Sequence, residues 1–381
     1  MRVITLLQPG RIVFGPQCAD GVPEDLLRAG CRRAYIVTSP PVLEHAQRLA
    51  AAMADAGMTT QIFSAVSAEP DLELLEAVRA QARAFGPDAV VGIGGGSAMD
   101  LAKLVAGLAD VDRPAAEFFT PNTVPPRRPR LICLPTTSGT GSEVSPNAIV
   151  LDRAEQLKKA IISPYLMPDA AFVDPLLTLT VPPAVTAATG ADALTHCLEA
   201  YANRFAHPMV DAYALKGIEL VGAYLARAVA DGSDVEAREG MSLASLLGGL
   251  CLGPVGTGAV HALAYPLGGE FHVAHGLSNA LLLPHVMKHN LPAMPERYAD
   301  VAIALGATPA DTPAETARRG LDRLAALYRE CGLDTSLSDL GVPEGALPGM
   351  AQSAMKVTRL LKNNPAEITV ADAEAIYRAA Y

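Results

Sequence analysis

No CxxC pair occurs among the six cysteines, Cys18, Cys31, Cys133, Cys197, Cys251 and Cys331. Scattered thiols in a chain of 381 residues exclude a disulfide framework and read as buried thiols of a reducing compartment. Charge is scarce as well, at 18% of residues, and its balance is acidic, with a formal net charge of −10. The chain lacks the basic footprint of nucleic-acid binding and the attraction a cationic surface has for anionic lipid. Internal repeats and low-complexity tracts are missing. No secretory leader is read in the opening MRVITLLQPGRIVFG, where Gln8, Pro9 and Gly10 break the apolar run early. These absences point to the cytoplasm.

One run has no charge at all. Between Glu239 and Glu270 there is no Lys, Arg, Asp or Glu, a length sufficient for a membrane span. Gly248, Gly249, Gly253, Pro254, Gly256, Gly258, His261 and Pro266 interrupt it, so a buried pair of helices with a tight turn is expected instead.

Half of the chain is hydrophobic, enough for sizeable cores, and its length favours two domains. Ala34–Thr38, Thr59–Phe63, Asp88–Ile93 and Leu131–Pro135 read as strands. Helical patterns over Val42–Ala56, Leu72–Phe85 and Ala98–Leu108 alternate with them. Such alternation predicts a parallel sheet covered by helices on both faces. Pro121–Pro129 reads as a surface loop. From Pro182 onward strand signals fade and Ala- and Leu-rich helical patterns dominate. The expected architecture is an α/β domain over 1–180 and an all-α domain over 181–381.

Gly92-Ile93-Gly94-Gly95-Gly96-Ser97 follows a strand and opens a helix. Glycines there let the backbone approach a phosphate, which the helix N-terminus attracts. Ser97 can serve as N-cap or donate to a phosphate oxygen. Asp100 and Lys103 follow on the first turn, and Asp100 joins Gly95, Gly96 and Ser97 as a candidate cofactor contact. Neither GxGxxG nor GxxxxGK[ST] is met. A tight turn before a capped helix is the plainer reading, but three consecutive glycines favour phosphate. A second polar turn, Pro135-Thr136-Thr137-Ser138-Gly139-Thr140-Gly141-Ser142-Glu143, also ends a strand. Ligands of open α/β sheets bind at such ends. Two turns of this kind suit a dinucleotide.

The helical half carries the sharper pattern. Asp192 and His196 are four apart, hence on one helix face. His261 lies in the uncharged stretch, where an unpartnered imidazole would be costly, and His275 lies beyond it. One carboxylate and three imidazoles suit Fe²⁺ or Zn²⁺ with a position open for substrate. His272 is a rival to His275 on the same segment. His45, His285 and His289 have no patterned acidic partner. His207, before Pro208, reads as a loop residue or as lining a cleft.

With GGGSAMDLAK (94–103), PTTSGTGSEV (135–144), ATGADALTHCLEAY (188–201) and HALAYPLGGEFHVAHGLSNALLLPH (261–285), the whole chain resembles the iron-containing alcohol dehydrogenase family. The resemblance implies a Rossmann-like domain, a helical domain and an active site in the cleft between them. It implies metal ligands Asp192, His196, His261 and His275, and pyrophosphate contacts from Gly95, Gly96 and Ser97. It implies further cofactor contacts from Thr136, Thr137, Thr140 and Lys158, and a homodimer or larger assembly. Two positions depart from the family pattern. A histidine common four residues after His261 is Tyr265 here, so Tyr265 joins His261 as a candidate catalytic residue. An acidic residue common after the second strand is replaced around Val37-Thr38-Ser39-Pro40. Ser39 removes the carboxylate that would repel a 2′-phosphate, leaving NAD and NADP both open.

The implied reaction is hydride transfer between a nicotinamide and a small alcohol or its aldehyde or ketone. The metal acts as Lewis acid, and the proton donor is Tyr265, a water or the cofactor ribose. The alternatives are an oxo-acid reductase like maleylacetate reductase, a hydroxy-acid dehydrogenase, a lyase like dehydroquinate synthase, and a non-enzymatic metal or nucleotide sensor. The helical half has no Lys and Arg cluster near the ligands for the lyase's anionic substrate, and no appended signalling module supports a sensor.

Overall fold

The computed structural model describes residues 2–66, 70–153 and 157–381. It divides into two compact units. One comprises Leu6–Thr137 and Gly141–Leu179; the other comprises Thr180–Tyr381 together with Ser138–Thr140 and the described N-terminal residues through Thr5.

The first unit is built on a six-stranded sheet in the order β1-β8-β5-β4-β2-β3, all pairs parallel. Its strands are β1 (Arg11–Phe14), β2 (Arg33–Val37), β3 (Thr59–Phe63), β4 (Ala89–Gly94), β5 (Arg130–Pro135) and β8 (Ala170–Val173). A separate antiparallel hairpin joins β6 (Asn147–Asp152) to β7 (Leu157–Ile162). Alternate residues of the central strands face two cores. Tyr35, Val37, Val90, Leu131 and Cys133 pack with α3 (Leu72–Phe85) and α4 (Gly96–Leu108). Ala34, Ile36, Val91, Ile93, Ile132 and Leu134 pack with α1 (Val22–Arg28) and α2 (Leu43–Asp55). A sheet covered on both faces needs strands that are apolar throughout, and β4 is buried at every position. Each large side chain so buried contributes about 1.5–3 kcal/mol.

Local chemistry sets the helix limits. Asp71 caps α3 by accepting from the Leu74 amide at 2.7 Å, and Gly86 ends it at φ 66°. The sequence pattern over Leu72–Phe85 matches α3 residue for residue. Helix α4 starts earlier than its apolar periodicity indicates, with Gly95 as N-cap and Ser97 inside the first turn rather than capping it.

The second unit has no strand among the described residues. Helix α5 (Pro183–Tyr201) begins directly after Pro182, with Pro183 at its first position, where a missing N–H is harmless. Next come α6 (Pro208–Ala230), α7 (Val235–Leu252), α8 (Ala259–Phe271) and α9 (His275–Asn290), and further helices continue to Ala379. The uncharged run therefore forms parts of α7 and α8 and the turn joining them. Among the described residues no helix is long and apolar enough to cross a membrane. All six cysteines are free, and all but the half-buried Cys18 are buried.

Candidate metal centre and cofactor turns

Asp192 and His196 lie one turn apart on α5, where tertiary packing has buried both: Asp192 is 2% exposed and His196 5%. His261 comes from the first turn of α8 and His275 from the first residue of α9. The Nε2 atoms of His196, His261 and His275 stand 3.8, 3.7 and 3.7 Å from one oxygen, Asp192 Oδ1. Tetrahedral ligands about 2.1 Å from a metal would be separated by roughly 3.4 Å. The three distances to Asp192 Oδ1 are slightly wider than that. The imidazoles of His196 and His261 are stacked, with centroids 4.7 Å apart.

The outer nitrogens are also engaged. His196 Nδ1 lies 3.2 Å from the Gly139 carbonyl, and His261 Nδ1 lies 2.6 Å from Glu199 Oε2. Hydrogen bonds donated to these acceptors leave each Nε2 with its lone pair inward. Burial would raise the Asp192 pKa, but the three histidines outweigh it and hold the carboxyl below its usual range. Burial holds His196 below the ordinary imidazole value, favouring the neutral form that ligates. Asn279 Nδ2 donates to Asp192 Oδ1 at 2.8 Å and lies 3.2 and 3.3 Å from Nε2 of His261 and His275. Its own Oδ1 is buried without a hydrogen-bond partner. The group whose donor atoms all lie within 4.8 Å of one another is Asp192, His261 and His275, a carboxylate and two imidazoles of the kind a divalent iron or zinc ion binds; His196 stands outside that group, though its Nε2 faces Asp192 Oδ1.

His272 does not join this group: it caps α8 in the left-handed conformation at φ 55°. His207 is a helix cap, its Nδ1 accepting from the Met209 amide at 3.2 Å. Tyr265 is half-buried one turn beyond His261. Burial pushes its pKa above the ordinary phenol value, while Arg359 pulls it down and Glu199 raises it.

In the α/β unit, β2, β4 and β5 are neighbours, and their carboxyl ends gather the predicted cofactor residues. Gly94 has φ 154°, and a Cβ there would meet Ala98 Cβ at 2.7 Å and lie 3.9 Å from Ser39 Oγ. One placed on Gly95 would sit 3.5 Å from Thr137 Oγ1. The Thr136 amide donates to the Gly94 carbonyl at 2.9 Å. Ser39, the glycine turn, Thr136 and Thr137 thus form one cluster, with Gly96 and Ser97 at helix positions whose N–H groups find no carbonyl within the helix. Asp100 is directed to the protein itself, accepting from Ser142 Oγ and, at 2.9 Å, from the Ile149 amide. Lys158 lies on β7, outside the main sheet, and Thr140 belongs to the helical unit.

Comparison with known proteins decides the family. The iron-containing alcohol dehydrogenase model matches residues 9–175, and the C-terminal model of the Fe-containing alcohol dehydrogenase family matches 186–381. The chain belongs to the iron-containing alcohol dehydrogenase family. It is similar to long-chain-alcohol dehydrogenase 1 of Geobacillus thermodenitrificans, with 41% identity covering 97% of this chain and 96% of that one. A crystal structure of 1,3-propanediol oxidoreductase superposes with a TM-score of 0.97 at 34% identity, covering 100% of both chains. That of sulfoacetaldehyde reductase from Bifidobacterium kashiwanohense in complex with NAD⁺ gives 0.91 at 31% identity, over 100% of this chain and 99% of the other. The fold is that of this family, and the chain is an NAD(P)-dependent alcohol dehydrogenase of the metal-dependent kind.

Sequence reasoning missed Glu199 and Asn279. Each sits at helical spacing from a ligand, Glu199 three residues after His196 and Asn279 four after His275. That spacing was the available signal.

Proposed function

We propose that Asp192, His196, His261 and His275 hold one divalent cation, Fe²⁺ or Zn²⁺, on which a small alcohol and its aldehyde or ketone are interconverted. The convergence of three imidazole nitrogens on Asp192 Oδ1 carries this reading. When bound, the cation supplies Lewis acidity at the substrate oxygen, and the nicotinamide gives or takes the hydride. Asp192 supplies the negative charge of the site, and the hydrogen bonds of their outer nitrogens orient the Nε2 atoms of His196 and His261 toward it. Gly95, Gly96 and Ser97 bind the pyrophosphate of NAD or NADP at the start of α4. Thr136, Thr137, Thr140 and Lys158 bind the rest of the cofactor. Asp100 contributes by bracing the polar turn through Ser142. Ser39 beside Gly94 leaves room for a 2′-phosphate. The proton that the substrate oxygen takes up during reduction comes from Tyr265, a water or the cofactor ribose. The enzyme acts in the cytoplasm as a homodimer or larger homo-oligomer.

The test is an anaerobic panel of alcohols, aldehydes and hydroxy acids, run with NAD and NADP on chelator-stripped protein. Turnover of simple alcohols restored by Fe²⁺ or Zn²⁺ is expected. Full turnover without any cation, or reduction of oxo-acids alone, contradicts the reading.

A further inference from the structure

Glu199 is a buried carboxylate, 6% exposed, that holds no place in the proposed ligand set. It lies on α5 three residues after His196 and seven after Asp192, so all three project from one helix face. Both of its oxygens are engaged by the first turn of α8. Oε2 accepts from His261 Nδ1 at 2.6 Å, and Oε1 accepts from the Val260 amide at 2.6 Å. Val260 is the second residue of α8, so its N–H has no carbonyl partner within the helix. The carboxylate also meets the partial positive end of α8. The neighbouring backbone leaves room for it: a Cβ on Gly258 would stand 3.2 Å from Glu199 Oε1 and 3.5 Å from Asn364 Oδ1.

These contacts have two consequences. An ionised carboxylate can only accept, so the His261 proton is fixed on Nδ1 and Nε2 is left as the ligating atom. Charge is the second consequence. A divalent cation beside Asp192 alone leaves one buried positive charge uncompensated; Glu199 brings the sum to zero. Residual buried charge is expensive.

We propose that Glu199 is a positioning residue that sets both the tautomer of His261 and the affinity of the site for its cation. The proposal rests on the metal-site reading above. An amide cannot substitute, because Gln presents one acceptor and one donor to two N–H groups and carries no charge. Asp keeps the charge with a shorter reach.

The experiment measures the Kd for Co²⁺ by chelator competition, with the Co²⁺ absorption spectrum, on wild type, Glu199→Gln and Glu199→Asp. The expected result is a Kd raised about 10–100-fold in Glu199→Gln, with an altered spectrum and partial rescue in Glu199→Asp. Nitrogen NMR of the metal-free protein should place the His261 proton on Nδ1 in wild type and show it lost from that position or shared in Glu199→Gln. Thermal unfolding of the metal-free proteins identifies a variant that fails to fold. In that event the wild-type tautomer and the Glu199→Asp affinity decide, and a proton on Nε2 or an unchanged Kd overturns the proposal. A folded Glu199→Gln with wild-type Kd and spectrum overturns it while leaving the metal site intact. Failure of wild type to bind Co²⁺ removes the underlying reading as well.

Discussion

Glu143 is 1% exposed, and neither carboxylate oxygen has a hydrogen-bond partner. It closes the polar turn after β5, on the short helical segment Ser142–Val144. Burial pushes its pKa from 4.5 up to about 7, against smaller opposing effects of its own backbone amide and Lys103. A carboxyl whose pKa rises on folding contributes stability that is fully present below the unfolded value and is lost as pH rises through the folded value. The window here runs from 4.5 to about 7. A shift of this size corresponds to about 3 kcal/mol by linkage. Glu143→Gln removes the titration and keeps the volume. Denaturant unfolding at pH 5 and pH 8 should show the variant gaining stability over wild type at the higher pH. An identical pH dependence in the two proteins refutes the assignment. The same scale separates residues that sequence can place from those it cannot. Asp192 and His196 declare themselves by spacing. Glu199 has the same kind of spacing, but its partner is sixty-two positions away on α8. Its purpose appears only when folding brings Val260 and His261 against it.

The element that positions the cofactor cluster is the junction of β4 and α4. Gly94 ends the strand at φ 154°, a conformation L side chains rarely adopt, and an added Cβ would overlap Ala98. Gly94→Ala should therefore weaken NADH binding at least about tenfold and destabilise the protein by about 2 kcal/mol. Titration of nucleotide fluorescence and urea unfolding read the two effects. Wild-type affinity would show that the turn does not carry the cofactor. Elements were legible where periodicity was long. Thr59–Phe63 and Leu72–Phe85 coincide with β3 and α3, and Leu131–Pro135 with all but the first residue of β5. The strands missed were β1 and β8, four residues each, and the hairpin β6–β7. A run as short as RIVF or AAFV is too brief for any period to show. The hairpin lies outside the sheet and follows loop-like sequence, so its alternation carries little weight until its partner is known. His207, read as a loop residue or as lining a cleft, lies in the loop before α6 and caps that helix.

At the scale of the molecule, all four proposed metal ligands belong to the helical unit, on α5, α8 and α9. Most of the proposed cofactor contacts belong to the α/β unit. The change from alternating strand and helix to continuous helix is visible in the sequence at Pro182, because apolar periodicity changes there. Residues 138–140 escape such a reading. They lie within the first stretch of sequence but group with the helical unit, where the Gly139 carbonyl meets His196. No local pattern encodes that tertiary placement. The most direct test of the account is the metal content of wild type and Asp192→Ala after loading with Zn²⁺ and desalting, with turnover measured on the same samples. The account predicts about one ion per wild-type chain, and in the variant a loss of both ion and activity. An Asp192→Ala protein that retains the full complement of metal and wild-type turnover would contradict it.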